Sequence, residues 1–473
     1  MTYISTRGGA APIDFRKAVT SGLAPDGGLY MPSAWPRFAP EAIAAAADGP
    51  FAATASRVMK AFAETGGGGP DATLIEEAMD AAFASFDHDD VAPLRELSPG
   101  RYVLELFHGP TLAFKDVAMQ ALARLYPWAL EGGERRKTIL AATSGDTGGA
   151  AIAAFAGAPG VDVFVFHPQG RISEVQRRIM TTTGADNVRN FAVEGDFDDC
   201  QRIVKELFVD PDLSRSRDLG GVNSINWVRL AIQTTYYFVA GARLGAPGVA
   251  ASYVVPTGNF GDVFAGYAAK RMGLPVARLG VAVNRNDIVH RALSTGVYEP
   301  SEVAATDAPS MDIQVASNFE RLLFEAMDRD ADRLSDLMAG FARAGRMEIS
   351  ADALARIKEN FVSARADDAQ TAAMIKSTYD SHGYLIDPHT AIGLVAAEQL
   401  ADRGLLVEPI VTLSTAHPAK FPEAVARASG VTPSLPPRYA DLFDRSERCA
   451  VLPARSEAAR NAILAQGEAH DGA

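Results

Sequence analysis

The sequence predicts an α/β fold of parallel sheets covered by helices, joined to a mostly helical N-terminal domain. Three observations predict it. Strand-length runs such as "VDVFVFHP" are apolar throughout, without alternation, as in strands buried on both faces. These runs recur with a loop and a helix between them, the rhythm of parallel strands joined by crossovers. Residues 1 to about 95 are instead Ala-rich and helical in pattern, punctuated by "PDGG" and "TGGGGP", with no strong strand alternation.

From residue 96 to 473 the elements follow as a catalytic region in two α/β lobes. "YVLELF" is a strand, "KTILAATSG" a strand breaking into a Gly-rich loop, and "DTGGAAIAAFAG" an apolar helix. "VDVFVFHP", "ISEVQRRIMTTTG" and "VRNFAVEG" continue as strand, helix and strand, giving a smaller lobe over about 135–210. A second set repeats the unit: "ASYVVPTGNFGD" is strand then loop, "VFAGYAAKRMG" a helix and "ARLGVAV" a strand. "EPIVTLSTAHPAKF" is a last strand running into a loop. Between about 300 and 380 the chain turns polar and helical ("FEAMDRDADRLSDLMAGFARAG"), which reads as a helical insertion. The tail "RSEAARNAILAQGEAHDGA" is Ala-rich, and its weak end is expected to fray.

Bulk properties exclude several function classes. A chain of 473 residues with 48% apolar and 22% charged content can bury a large core. Its formal net charge of -13 disfavours non-specific binding to nucleic acid or anionic membrane. An anionic substrate would therefore need a local positive island. Cys200 and Cys449 are too few for a disulfide framework or a cysteine-rich zinc site. The eight histidines show no metal-ligand spacing, so no metal is expected. The N-terminal residues lack the layout of a secretion signal, and no apolar run reaches transmembrane length. The expectation is a cytoplasmic protein, monomer or homodimer, with a small-molecule partner.

Two loops and one lysine carry the chemistry. "TSGDTGG" (Thr143 to Gly149) and "PTGNFGD" (Pro256 to Asp262) each follow a buried strand and open a helix. Free amides and the positive end of the helix dipole suit such loops to anions. Neither is a P-loop or a dinucleotide fingerprint. "HGPTLAFKDVAMQ" places Lys115 at the start of a helix inside an apolar stretch. It is either a snorkelling surface lysine or a functional one. Burial and a helix N-terminus both favour its neutral, nucleophilic form. A neutral lysine beside phosphate-binding loops suggests a covalent link to pyridoxal 5'-phosphate (PLP).

"HGPTLAFKD", "ATSGDTGGAA", "NSINWVRL", "VVPTGNFGD" and "TAHPAKF", with "YISTRG" and "DGGLYMP" before them, closely resemble the threonine synthase family of the bacterial and fungal type. The resemblance runs from Tyr3 to about Glu423. It implies a fold-type II PLP enzyme with a tryptophan synthase β-like core and an N-terminal domain of its own. It also implies the conversion of O-phospho-L-homoserine and water to L-threonine and phosphate.

By this resemblance Lys115 carries the cofactor and acts as the base. Thr257, Gly258, Asn259, Phe260 and Gly261 match the family's cofactor-phosphate cradle, and Thr415 the residue near the pyridine nitrogen. Ser144 and Thr147 face the substrate. Asp146 either lies near the cofactor's 3-hydroxyl or caps its helix. Asn226 and Arg229 are candidates for the substrate phosphate, which a fork-shaped guanidinium suits; the bland alternative for Arg229 is a surface arginine. His108 and His417 read as supporting or structural residues, and His389 in "DPHTAIG" as the start of a helix. A related phospho-lyase giving a keto acid would share the lysine and loops. A nucleotide-binding regulatory module is the reading from another class, and the missing Walker and dinucleotide patterns argue against it.

Overall fold

The continuous apolar runs become strands of two sheets in the computed structural model, which describes residues 2–64, 69–133 and 135–466. The larger sheet runs, edge to edge, Phe361–Arg365, Val276–Val283, Ala251–Pro256, Ile410–Ser414, Arg101–Glu105 and Leu94–Ser98. All its pairings are parallel except the last. Both faces are covered, which is why its central runs are apolar throughout. Val254 packs into the cluster with Ile392, Ala396 and Leu400 of the helix Pro388–Asp402. Its neighbours Tyr253 and Val255 pack on the opposite side, with the helices Trp227–Arg243 and Gly261–Arg271.

The smaller sheet runs Ala450–Pro453, Val188–Glu194, Val161–Pro168, Lys137–Ala142 and Asp218–Gly220, parallel throughout. It too is two-faced. Leu140, Phe164 and Phe166 meet one set of helices, while Ile139, Val163 and Val165 face the main core.

Several expectations need correction. The N-terminal segment does contain strands: Tyr3–Ser5 pairs antiparallel with Tyr30–Pro32. The edge strand Leu94–Ser98 crosses the boundary drawn at 95, and its mostly polar "LRELS" carries no burial pattern to find. The segment 300–380 is not a purely helical insertion, because Phe361–Arg365 joins the larger sheet beside Val276–Val283. The smaller lobe extends beyond 135–210, recruiting Asp218–Gly220 and Ala450–Pro453 as edges. The Ala-rich tail docks as far as it is described, since the helix Ser456–Ala465 buries Ala459 and Ile463. Its residues after 466, and residues 65–68 of the "TGGGGP" turn, lie outside the described residues. No helix among the described residues is long and apolar enough to cross a membrane.

The loops singled out in the sequence all leave the carboxyl ends of strands. They follow Arg101–Glu105, Lys137–Ala142, Ala251–Pro256 and Ile410–Ser414. Ligand crevices of open α/β sheets form at that end.

Candidate active site

The lysine loop is built by its neighbours in sequence. Gly109 lies so close to Asp116 that a Cβ there would fall 2.4 Å from the Asp116 Cβ. Buried Asp116 accepts hydrogen bonds from the Thr111 amide (2.7 Å) and hydroxyl (2.6 Å), closing the turn. Leu112 then takes a left-handed φ of 61°, and Ala113 bridges Ala416 on the neighbouring loop. The Phe114 amide donates to the Thr415 carbonyl at 2.9 Å. Lys115 follows as the first residue of the helix Lys115–Leu130. It is buried, not snorkelling.

Its Nζ lies 3.0 Å from Asp146 Oδ2 and 3.4 Å from Ser310 Oγ. The other Asp146 oxygen accepts from Lys420 Nζ (2.6 Å) and Gln176 Nε2 (3.0 Å). Asp146 does not cap its helix. Gly145 holds that position, and Asp146 begins the helix Asp146–Phe155 with its carboxylate turned to the lysines. Arg229 is buried as well. Its Nη1 donates to the Val222 carbonyl (2.7 Å), and among the described residues its Nε has no partner and no carboxylate pairs with it.

Three cations thus gather near one well-paired carboxylate, the positive island an anionic ligand needs in a negative protein. Burial pushes the Lys115 amine below its ordinary value; Asp146 opposes this, while Lys420 and Arg229 add to it. Burial alone would raise Asp146, but Lys115 and Lys420 hold it well below the usual carboxylate range. Burial pushes the Arg229 guanidinium down to about 10. Desolvating one unpaired ion costs about several kcal/mol, so a buried arginine without a carboxylate gains from a bound anion. Asp116 and Asp262 are both raised by burial, Asp262 to about 6, and so offset the cations less.

The "TGNFG" loop opens the helix Gly261–Arg271. The amides of residues 258–263 donate to no acceptor in the described protein. Phe260 holds the turn with a left-handed φ of 65°, and its ring is buried against Phe319 and Phe361. Phe260 therefore offers a ligand its amide, not its side chain. Thr257 donates its hydroxyl to the Val255 carbonyl (2.7 Å), and the Asn259 carbonyl accepts from the Asn318 amide and side chain. The loop is thereby held open.

In "TSGDTGG" the Thr143 hydroxyl accepts from the Gly145 and Gly148 amides, each at 2.9 Å. Ser144 and Thr147, both half-buried, keep hydroxyls with no partner among the described residues. The Thr415 hydroxyl likewise has no partner among the described residues, in a buried residue beside the lysine loop.

Asn226 requires a correction. Its Oδ1 accepts from the Arg229 amide (3.2 Å), capping the helix Trp227–Arg243. Its Nδ2 donates to the carbonyls of Val19 (2.8 Å) and Ser21 (3.0 Å). Asn226 ties the N-terminal segment to the helix that carries Arg229, a structural task that occupies its amide nitrogen and its capping oxygen.

Residues outside the initial set complete the site. Lys420 also donates to the Thr111 carbonyl at 2.8 Å. Its signal was present in "TAHPAKF": a lysine in an apolar loop after a buried strand, as with Lys115. Ser310 sits in the polar 300–380 segment, where no pattern distinguishes one serine from another. Of the histidines, His108 pairs with Glu105 (2.7 Å) and His417 Nδ1 accepts from the Ala419 amide (3.1 Å). His389 contacts Asp387 and the Ser310 amide.

Comparison with known proteins gives the family. Residues 92–339 match the model of pyridoxal-phosphate dependent enzymes. Residues 2–77 match the threonine synthase N terminus, and 390–463 the threonine synthase C-terminal region. The chain is 48% identical to threonine synthase of Pseudomonas aeruginosa, over 96% of each chain. It superposes on the PLP-bound threonine synthase of Brucella melitensis with a TM-score of 0.94, at 48% identity, covering 98% of this chain and 99% of that one. Yeast threonine synthase superposes with a TM-score of 0.91 at 36% identity, over 99% of each chain. The chain belongs to the threonine synthase family of fold-type II, pyridoxal-phosphate-dependent enzymes.

Proposed function

We propose that this chain converts O-phospho-L-homoserine and water to L-threonine and phosphate, acting as a cytoplasmic carbon–oxygen lyase in the last step of threonine biosynthesis. The observation that carries the reading is the placement of Lys115 near two distinct anion-receptive features. One is neutral, the run of unpartnered amides at 258–263; the other is cationic, the unpaired Arg229 guanidinium. A PLP enzyme acting on a phosphate ester needs two such places, for cofactor phosphate and leaving phosphate.

The residues fit PLP. Six free amides at a helix N-terminus would hold its phosphate, and Gly258 leaves no room there for a side chain, because a Cβ would meet the Ser310 carbonyl at 2.6 Å. Lys115 would hold it covalently, and the free Thr415 hydroxyl would meet the ring nitrogen without forcing a proton onto it. When bound, PLP supplies the electron sink that makes protons at Cα and Cβ labile.

The side chains do the rest. Burial and cationic neighbours keep Lys115 Nζ able to lose its proton, as nucleophile first and as base at Cα once freed. Asp146 and Ser310 fix where that nitrogen rests. Ser144, Thr147 and nearby amides orient the substrate carboxylate, and Arg229 balances charge growing on the departing phosphate. The N-terminal domain through about residue 95 supports the helix bearing Arg229, and the two lobes beyond it form the catalytic region, in a monomer or homodimer.

The test is product analysis with purified enzyme, PLP and O-phospho-L-homoserine. Threonine and phosphate should appear in equal amounts. A keto acid in place of threonine would transfer the chain to the phospho-lyases.

A further inference from the structure

We infer that Asp387, His389 and Ser310 form a positioning relay that fixes the resting place of the free Lys115 amine. The relay starts in the core. Asp387 is fully buried, and its Oδ2 lies 2.6 Å from His389 Nδ1. Helix capping accounts for bonds to the amides of His389 and Thr390, but it does not need the ring contact. A carboxylate at that distance sets the tautomer: the proton is on Nδ1, and Nε2 is left as an acceptor. Nε2 accepts from the Ser310 amide at 3.3 Å, in the short turn Pro309–Met311. Phe421 packs against the imidazole, with ring centroids 5.0 Å apart.

Ser310 is therefore held from two sides. His389 grips its amide, and its carbonyl abuts Gly258 of the amide cradle. Its hydroxyl donates to Asp146 Oδ2 at 3.1 Å and accepts from Lys115 Nζ at 3.4 Å. A lysine on a four-carbon stem held by Asp146 alone can swing about that one contact. A second anchor, itself immobile, narrows the positions from which Nζ can attack. Asp387 and His389 meet locally at one helix N-terminus, but no sequence pattern joins them to Ser310, which the fold brings to them.

The inference rests on Lys115 being the cofactor lysine, and its test separates the two. Full-length enzyme stripped of PLP is remixed with PLP without substrate, and the lysine–PLP absorbance is followed by stopped flow. In that step Nζ bonds to the aldehyde carbon and water departs. Ser310→Ala should slow it about tenfold, the effect of one hydrogen bond lost. Ser310→Thr, which keeps the hydroxyl, should stay near the wild-type rate. His389→Ala should match Ser310→Ala, and His389→Gln, with an amide oxygen in reach of the Ser310 amide, should recover. The double variant Ser310→Ala/His389→Ala should be no slower than either single, because both remove the same anchor. A wild-type rate for Ser310→Ala, or losses that multiply to about a hundredfold in the double variant, would overturn the relay. Should His389→Ala fail to fold, the contrast between Ser310→Ala and Ser310→Thr decides alone. A chromophore attached to a residue other than Lys115, placed by mass spectrometry, would overturn the proposed function instead.

Discussion

Lys115 and Lys420 share a single carboxylate. Asp146 offers Oδ2 to the first at 3.0 Å and Oδ1 to the second at 2.6 Å. Two buried ammonium groups on one acid cannot both be fully balanced, and Lys420, with its second bond to Thr111, is the better anchored.

That sharing predicts which lysine reacts. Borohydride reduction of the holoenzyme followed by peptide mass spectrometry should place the pyridoxyl group on Lys115, with Lys420 unmodified. Lys420→Met should raise the Lys115 amine toward its ordinary value, since the neighbouring cation that pushes it down is gone. The pH at which PLP attaches should shift upward in the same variant. An adduct on Lys420 in wild-type enzyme would refute the assignment.

Arg229→Lys should impair use of the phosphate ester while leaving PLP attached. A point-charge ammonium cannot reproduce a forked grip on phosphate, and the shorter reach leaves the site partly empty. The loss of about 1.5–3 kcal/mol amounts to roughly one to two decades in kcat/KM. It should appear in kcat as well as KM, because the bound phosphate is also the leaving group. Loss of PLP instead would mean that the two phosphate positions are exchanged.

Gly258→Ala should weaken PLP retention. The new methyl would sit 2.6 Å from the Ser310 carbonyl, a contact that backbone on both sides must relieve by moving. Dialysis without PLP, followed by absorbance, measures it; retention equal to wild type would show that the cradle tolerates the shift.

His417 predicts a pH dependence of stability. Burial above all, with the His108 charge adding to it, pushes its imidazole down to about 4. A depressed histidine contributes stability that is fully present above its unfolded value near 6.5 and is lost as pH falls toward 4. The loss approaches about 3 kcal/mol across that window. His417→Asn keeps an acceptor for the Ala419 amide and removes the titration. Its urea midpoint should fall less between pH 7 and pH 4 than that of wild type.

Much of the fold could be read from the sequence wherever burial leaves a continuous apolar run. Strands such as Val161–Pro168 and Ala251–Pro256 are buried at every residue, so their composition announces them. Edge strands do not. Phe361–Arg365 and Leu94–Ser98 have only part of their surface covered, and their polar residues resemble the helices and loops beside them. The site divides in the same way. Lys115, Asp146 and Arg229 stand in Gly-rich or apolar contexts where a charge is conspicuous. Ser310 and His389 are ordinary residues at ordinary positions, joined only by tertiary contact. Asn226 was conspicuous for its motif, yet its hydrogen bonds serve a cap and the N-terminal segment.

The placement of Ala450–Pro453 has a consequence for biosynthesis. This edge strand pairs with Val188–Glu194, so a ribosome must add 256 residues after Glu194 before the first residue of its partner exists (450 minus 194). At roughly 5–20 residues per second that is a wait of about 13–50 seconds. Throughout it the row of amides and carbonyls along Val188–Glu194 stands open to any passing strand. The smaller lobe is thus sealed only once Ala450–Pro453 has been made, and that interval of exposure to aggregation is written into its strand order.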